Sequence, residues 1–177
     1  MADYLDFGID SATTVSASDL LRGSGRLERL AWLNDKLKEG DIYFLQDGKR
    51  SQIVFQEAAD SFINGQFIAA IALGFSFIER TIAGRLWHVG EKEKANTRKN
   101  AKLLNFAKDR GWLTEGEVIF LNNLRDVRNY VVHFRDPDST QTKVRNIFEK
   151  QPKSIDFEKD AYAVMQAAID VLSSTSL

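Results

Sequence analysis

FIAAIALGFSFIERTIAGRLWHV, residues Phe67 to Val89, is the stretch on which the fold turns. Ile71, Phe75, Ile78, Ile82, Leu86 and Val89 recur at three- and four-residue spacing, which is one face of an α-helix. Ala69, Ala72 and Ser76 make a second, small-residue strip where another helix can approach closely. The spacing predicts a helix from Gln66 to about Val89, apolar round much of its circumference and therefore the most buried element of the chain. Its uninterrupted apolar part, Phe67 to Ile78, runs for 12 residues before meeting Glu79 and Arg80. That is short of the about 20 residues a membrane span needs, so a buried helix is the better reading.

Outward from this segment, the chain keeps a helical period. Upstream, Asn64-Gly65 is a C-cap ending a helix over Ser51–Asn64, with Ile53 or Val54, Ala58 and Phe62 inward. Before that, Ile42 to Leu45 is strand-like, but one such run makes no sheet and is read as a connector. Arg26 to Lys38 is amphipathic, with Leu27, Leu30, Leu33 (or Trp32) and Leu37 on one side. Ser16 to Asp19 offers capping side chains before Leu20-Leu21. Downstream, Gly90 to Arg98 is a charged linker and Lys99–Arg110 a short helix stopped at Gly111. Thr114-Glu-Gly-Glu117 is a capping box opening a helix to about Arg135. The polar stretch 137–155 carries the only two prolines, Pro137 and Pro152. Asp156 then caps a last helix, Phe157 to about Ser173, with Tyr162, Met165 (or Val164), Ala168 and Ile169 or Leu172 inward. The expectation is an all-α, single-domain helical bundle over residues 16–177, preceded by an N-terminal arm at 1–15.

Composition removes several function classes. With no cysteine among 177 residues, neither disulfides nor thiolate metal sites exist, which fits a reducing cytosol. The two histidines, His88 and His133, lie far apart in sequence, so no metal or other cofactor is expected. The net charge of −1 gives no global attraction to nucleic acid or to an anionic membrane. A local site that grips a few phosphates needs only a few cations. The acidic start MADYLDFGID has no cationic segment leading into an apolar run, so the chain reads as cytoplasmic.

Chemistry concentrates in the second long helix. Leu124-Arg-Asp-Val-Arg-Asn-Tyr-Val-Val-His133 places Arg128, Asn129 and His133 within six residues. On a helical wheel Phe120, Leu124, Val127, Val131 and Phe134 form an apolar stripe. Asn122, Asp126, Asn129 and His133 form a polar strip that is solvated, lines a cleft, or meets another subunit. Arg128 is about 140° from His133 on a straight helix. Either the Arg side chain reaches round, the helix distorts, or Arg128 works with a histidine from another copy. The residue types suit RNA cleavage by its own 2′-hydroxyl. An imidazole titrating near neutrality moves the proton. A guanidinium fork holds the crowded phosphate. Asn129 orients the histidine or donates to the phosphate, and the product is a 2′,3′-cyclic phosphate. One chain carries one such histidine, which favours a symmetric homodimer.

Arg128-Asn129-Tyr130-Val131-Val132-His133 resembles the R-x(4–6)-H signature of the HEPN superfamily, including the polar residue after the arginine. The apolar lead-in of Leu121, Leu124 and Val127 is similar too, as is the Ala-rich helix with Phe77-Ile-Glu79-Arg80. The likeness spans about residues 50–174. It implies a helical bundle whose dimer turns both motifs toward one cleft. It further implies metal-independent endoribonuclease activity, often within toxin–antitoxin or anti-phage defence systems. Arg128, His133 and Asn129 would then be catalytic, with Asp126, Asn122 and Glu79 in support. Toxins of this superfamily paired with nucleotidyltransferase antitoxins commonly carry a tyrosine two places after the histidine. Arg135 stands there, so silencing at that tyrosine is not expected.

Each remaining signal has a plain reading beside the functional one. His88 sits where an imidazole bonds carbonyls at a helix end. Glu79 and Arg80, charged within an apolar helix, read first as an internal ion pair. Lys92, Lys94, Arg98, Lys99, Lys102, Lys108 and Arg110 read as a solvated face, with guidance of RNA to the motif as the alternative. Trp32, Trp87 and Trp112 read as packing residues. Two function classes stand: a ribonuclease binding RNA and regulated by an antitoxin or other protein, and a non-catalytic HEPN-like module that dimerises or docks a partner.

Overall fold

A computed structural model describes residues 17–37, 48–97, 100–132 and 156–173. Among these residues the elements are seven helices and no strand. They are α1 (Ala17–Lys36), α2 (Lys49–Ile63), α3 (Phe67–His88), α4 (Lys92–Ala95), α5 (Asn100–Asp109), α6 (Glu115–Val132) and α7 (Phe157–Ser173). The strand-like run Ile42–Leu45, the arm 1–15 and the polar stretch 137–155 lie outside the described residues.

The central helix is α3, packed chiefly between α2 and α7, with α5 and α6 along its second half and α1 against α2. Its predicted inward residues Ile71, Phe75, Ile78, Ile82 and Leu86 are buried, whereas Val89 at its end is 46% exposed. By length and composition alone α3 could cross a membrane, yet its core-facing side is filled by neighbouring helices. Phe55, Phe62, Phe75 and Phe77 are fully buried round it. Each such side chain contributes about 1.5–3 kcal/mol relative to an exposed one. Gly74 permits the tightest approach: a Cβ there would lie 2.7 Å from Val164 Cγ1 of α7. No side chain larger than hydrogen fits without moving that valine.

The helix ends follow the sequence closely. Gly65 adopts a φ of 74°, and the Gln66 N–H donates to the Ser61 carbonyl at 2.8 Å, closing α2 as a Schellman-type cap. At α6 the Glu117 N–H donates to Thr114 Oγ1 (3.2 Å), while the Thr114 N–H donates to the Glu117 carboxylate (2.6 Å). The capping box is therefore reciprocal. Asp156 accepts from the Lys159 N–H at 3.1 Å and opens α7.

Three expectations need correcting. The helix expected from Arg26 begins at Ala17 and passes through Gly23 and Gly25. Interior glycines cost about 1 kcal/mol each relative to Ala, and docking of the second half offsets that cost. On this helix Leu33 is buried but Leu27 is 66% exposed; among the described side chains α1 meets the core through Leu30, Trp32 and Leu33, with Leu37 just beyond it. On α6 the buried stripe is Val118, Leu121 and Leu124 with Val127 packed beside it, so of the expected stripe Leu124 and Val127 face the core while Phe120 is 44% exposed. This orientation turns Arg128, rather than Phe120, toward α3. A fourth difference is an addition: the charged linker contains one helical turn, α4.

Arg29 links three elements. Its Nε and Nη2 donate to the Ile63 carbonyl at 3.2 and 3.1 Å, and its Nη1 meets Glu158 of α7 at 3.3 Å. The guanidinium also lies over the Phe67 ring. Beside it, Trp32, Phe62 and Tyr162 form an aromatic cluster with ring centroids 4.7–5.4 Å apart.

Candidate functional site

The motif helix α6 crosses α3 so that Arg128 faces Glu79. Arg128 Nη2 donates to Glu79 Oε1 at 2.8 Å, and the two side chains are 13% and 19% exposed. The same guanidinium lies over the Phe75 ring, 5.3 Å from its centroid. A flat cation is thus fixed by a carboxylate at its edge and an aromatic face beneath it. Arg128 Nε is buried and has no hydrogen-bond partner among the described residues. Glu79 thus forms an internal ion pair, and its partner is Arg128, across on α6.

The electrostatics of Glu79 are set by two opposing causes. Burial raises its pKa above the ordinary 4.5, and the charges of Arg128 and Arg125, with the Arg128 hydrogen bond, pull it back. Desolvation is the larger effect, so this carboxyl holds a proton more readily than a surface glutamate. The result is a proton-accepting group beside a guanidinium in a poorly hydrated corner of the bundle.

The other candidate residues are only partly gathered. Asn122 Nδ2 donates to the Val118 carbonyl of its own helix at 2.9 Å. Asp126 accepts from Arg125 Nη2 at 3.2 Å and is 45% exposed on its side chain. Asn129 is half-buried on the same flank of α6. His133 lies outside the described residues. Sequence reasoning missed two participants. Arg125 stands one turn before Arg128, where i,i+3 spacing brings its charge to Glu79. Phe75, a core residue by its spacing, is also the floor under Arg128.

Among the described residues no three His, Asp or Glu side chains converge as a metal-binding group. Comparison with protein-family models, with curated proteins and with solved structures gives no match.

Proposed function

We propose that this chain is a metal-independent endoribonuclease of HEPN type, acting as a homodimer and leaving 2′,3′-cyclic phosphate ends. The observation that carries the reading is the fixed, half-buried Arg128 guanidinium, braced by Glu79 and Phe75 on the helix that leads to His133. A cation held in place before substrate arrives stabilises the charge of a phosphorane-like transition state without reorganisation. In this scheme His133 takes the proton of the 2′-hydroxyl, whose oxygen bonds to phosphorus as the bond to the 5′-oxygen breaks. A second copy's His133 protonates the departing 5′-oxygen. Arg128 spans the non-bridging oxygens, and Asn129 orients the imidazole one turn away. Asp126, paired to Arg125, keeps that neighbouring cation in register, and Asn122 shapes the flank of the cleft.

The second copy fits the outer face of α3. That helix is long and apolar, and less than half of its most apolar stretch is buried within one chain. Its strip of Ala69, Ala72 and Ser76 is half-exposed and small enough for close helix approach. A toxin or anti-phage role in the cytoplasm, restrained by an antitoxin or regulatory protein, belongs to the same proposal.

The alternative, a non-catalytic HEPN-like interaction module, is favoured by one observation: the Arg128 charge is already engaged by Glu79. Cleavage of labelled RNA in EDTA decides between them, comparing wild type with His133→Ala and Arg128→Ala. Cyclic-phosphate ends that vanish in both variants support the enzyme. Wild-type cleavage no greater than that of His133→Ala, with the dimer intact, overturns it in favour of the module.

A further inference from the structure

We infer that the far end of α3 is a docking surface for single-stranded RNA, with Trp87 as the platform on which a base stacks. This rests on the RNA reading for its ligand, but not on cleavage. Trp87 is 46% exposed near the C-terminal end of α3, and Val89 just beyond it is equally exposed. The ammonium of Lys92 lies 5.0 Å from the Trp87 ring centroid. Cations next to an exposed aromatic face are the pairing that grips a base on its π surface and the adjoining phosphate by charge.

The position on the helix adds a path. Arg80 and Trp87 are seven residues apart, hence about 20° apart round the axis and about 10 Å along it. Between them, on the same side, Ala83 and Gly84 are half-exposed and small. The strip of small residues leads along the helix from Trp87 to Arg80, which follows Glu79 in sequence. A strand stacked on Trp87 can run along it toward the motif.

The sequence here is locally basic, although Arg98 and Lys99 lie outside the described residues. Residues 85–110 hold eight Lys and Arg against three Asp and Glu, in a chain whose net charge is −1. Some of these cations are occupied: Lys94 and Arg110 both pair with Glu91, and Lys108 pairs with Glu115. Glu93 and Asp109 are exposed and oppose an anion. Lys92 instead rests on the tryptophan, and Lys102 is exposed. The surface thus suits a short strand, not a long duplex.

The test is binding of a fluorescein-labelled single-stranded RNA 12-mer, followed by anisotropy in EDTA on the full-length His133→Ala protein. Trp87→Ala in that background is expected to weaken binding by at least about 5-fold, the loss of one stacked base. Lys92→Glu should weaken it too and flatten its dependence on salt. Circular dichroism and the dimer fraction should stay unchanged, since Trp87 is largely outside the core. Unchanged affinity in both variants overturns the surface even if the wild type cleaves RNA, as does absence of any 12-mer binding. Binding that depends on Trp87 in a protein that never cleaves leaves the surface standing and removes only the ribonuclease reading.

Discussion

Replacing Arg128 by alanine tests whether the motif arginine also holds the fold together, and the structure sets the size of the effect. The substitution strands Glu79 in a site where its side chain is 19% exposed, and it removes the cation over Phe75. Breaking a fully buried ion pair from one side costs about 3–5 kcal/mol. Residual exposure of both partners argues for the lower end, about 3 kcal/mol. For a chain of this length that lowers Tm by about 6–12 °C.

The loss must also depend on pH in a stated direction. Burial raises the Glu79 pKa, so the folded protein keeps this proton to higher pH than the unfolded chain does. That contribution is complete below the unfolded carboxyl value and is lost as pH rises through the folded one. Without Arg128, the strongest influence opposing burial is gone, and the pKa climbs further. The variant is therefore weakest relative to wild type near neutrality and recovers part of the difference on acidification. Urea unfolding followed by circular dichroism at about pH 7 and about pH 5 measures both. Adding Glu79→Gln to Arg128→Ala should restore about 1 kcal/mol or more at the higher pH, because no charge is then left stranded. A single variant within about 1 kcal/mol of wild type at both pH values would refute the pairing argument. So would a loss that grows in acid. The practical consequence is that loss of cleavage in Arg128→Ala assigns a role only when folding is measured alongside.

Arg29→Ala should destabilise by about 3 kcal/mol, since the Ile63 carbonyl loses a charged donor. Glu158→Gln, at a carboxylate 49% exposed, should cost under about 1 kcal/mol by the same urea assay. Gly74→Ala should cost about 1–3 kcal/mol through the clash with Val164. Adding Val164→Ala should recover part of it, and simple additivity of the two losses would contradict the packing described.

The helices were legible because their signals are local. The repeat from Ile71 to Leu86, the Asn64-Gly65 stop and the Thr114–Glu117 box each operate within a turn or two of their own chain. What could not be read was orientation. The stripe Phe120, Leu124, Val127 and the stripe Val118, Leu121, Leu124 share a residue and compete on one wheel. The choice between them is made by α3 and α7, which lie far away in sequence. Once α6 adopts the second orientation, Arg128 must face Glu79, a contact between residues 49 apart. Leu27 failed for a related reason: amphipathic spacing marks every apolar residue on a face, but among the described side chains the packed ones start at Arg29. The Arg128 and Glu79 halves of the site were each noticed in sequence, and only packing joined them.

The clamp at Arg29 has a consequence for the order of assembly. Its bonds to the Ile63 carbonyl join residues 34 apart, while its contact with Glu158 spans 129. During synthesis α1 is made before α2 and well before α7, which carries one of its partners. Closing so long a loop is entropically slow compared with pairing neighbouring helices. Until α7 arrives, the Trp32–Leu33 side of α1 can rest on α2 but lacks Tyr162 to complete its aromatic cluster. The earlier helix thus waits for the later one, and an interrupted chain ending before residue 157 would present that unfinished face to whatever quality-control machinery meets it.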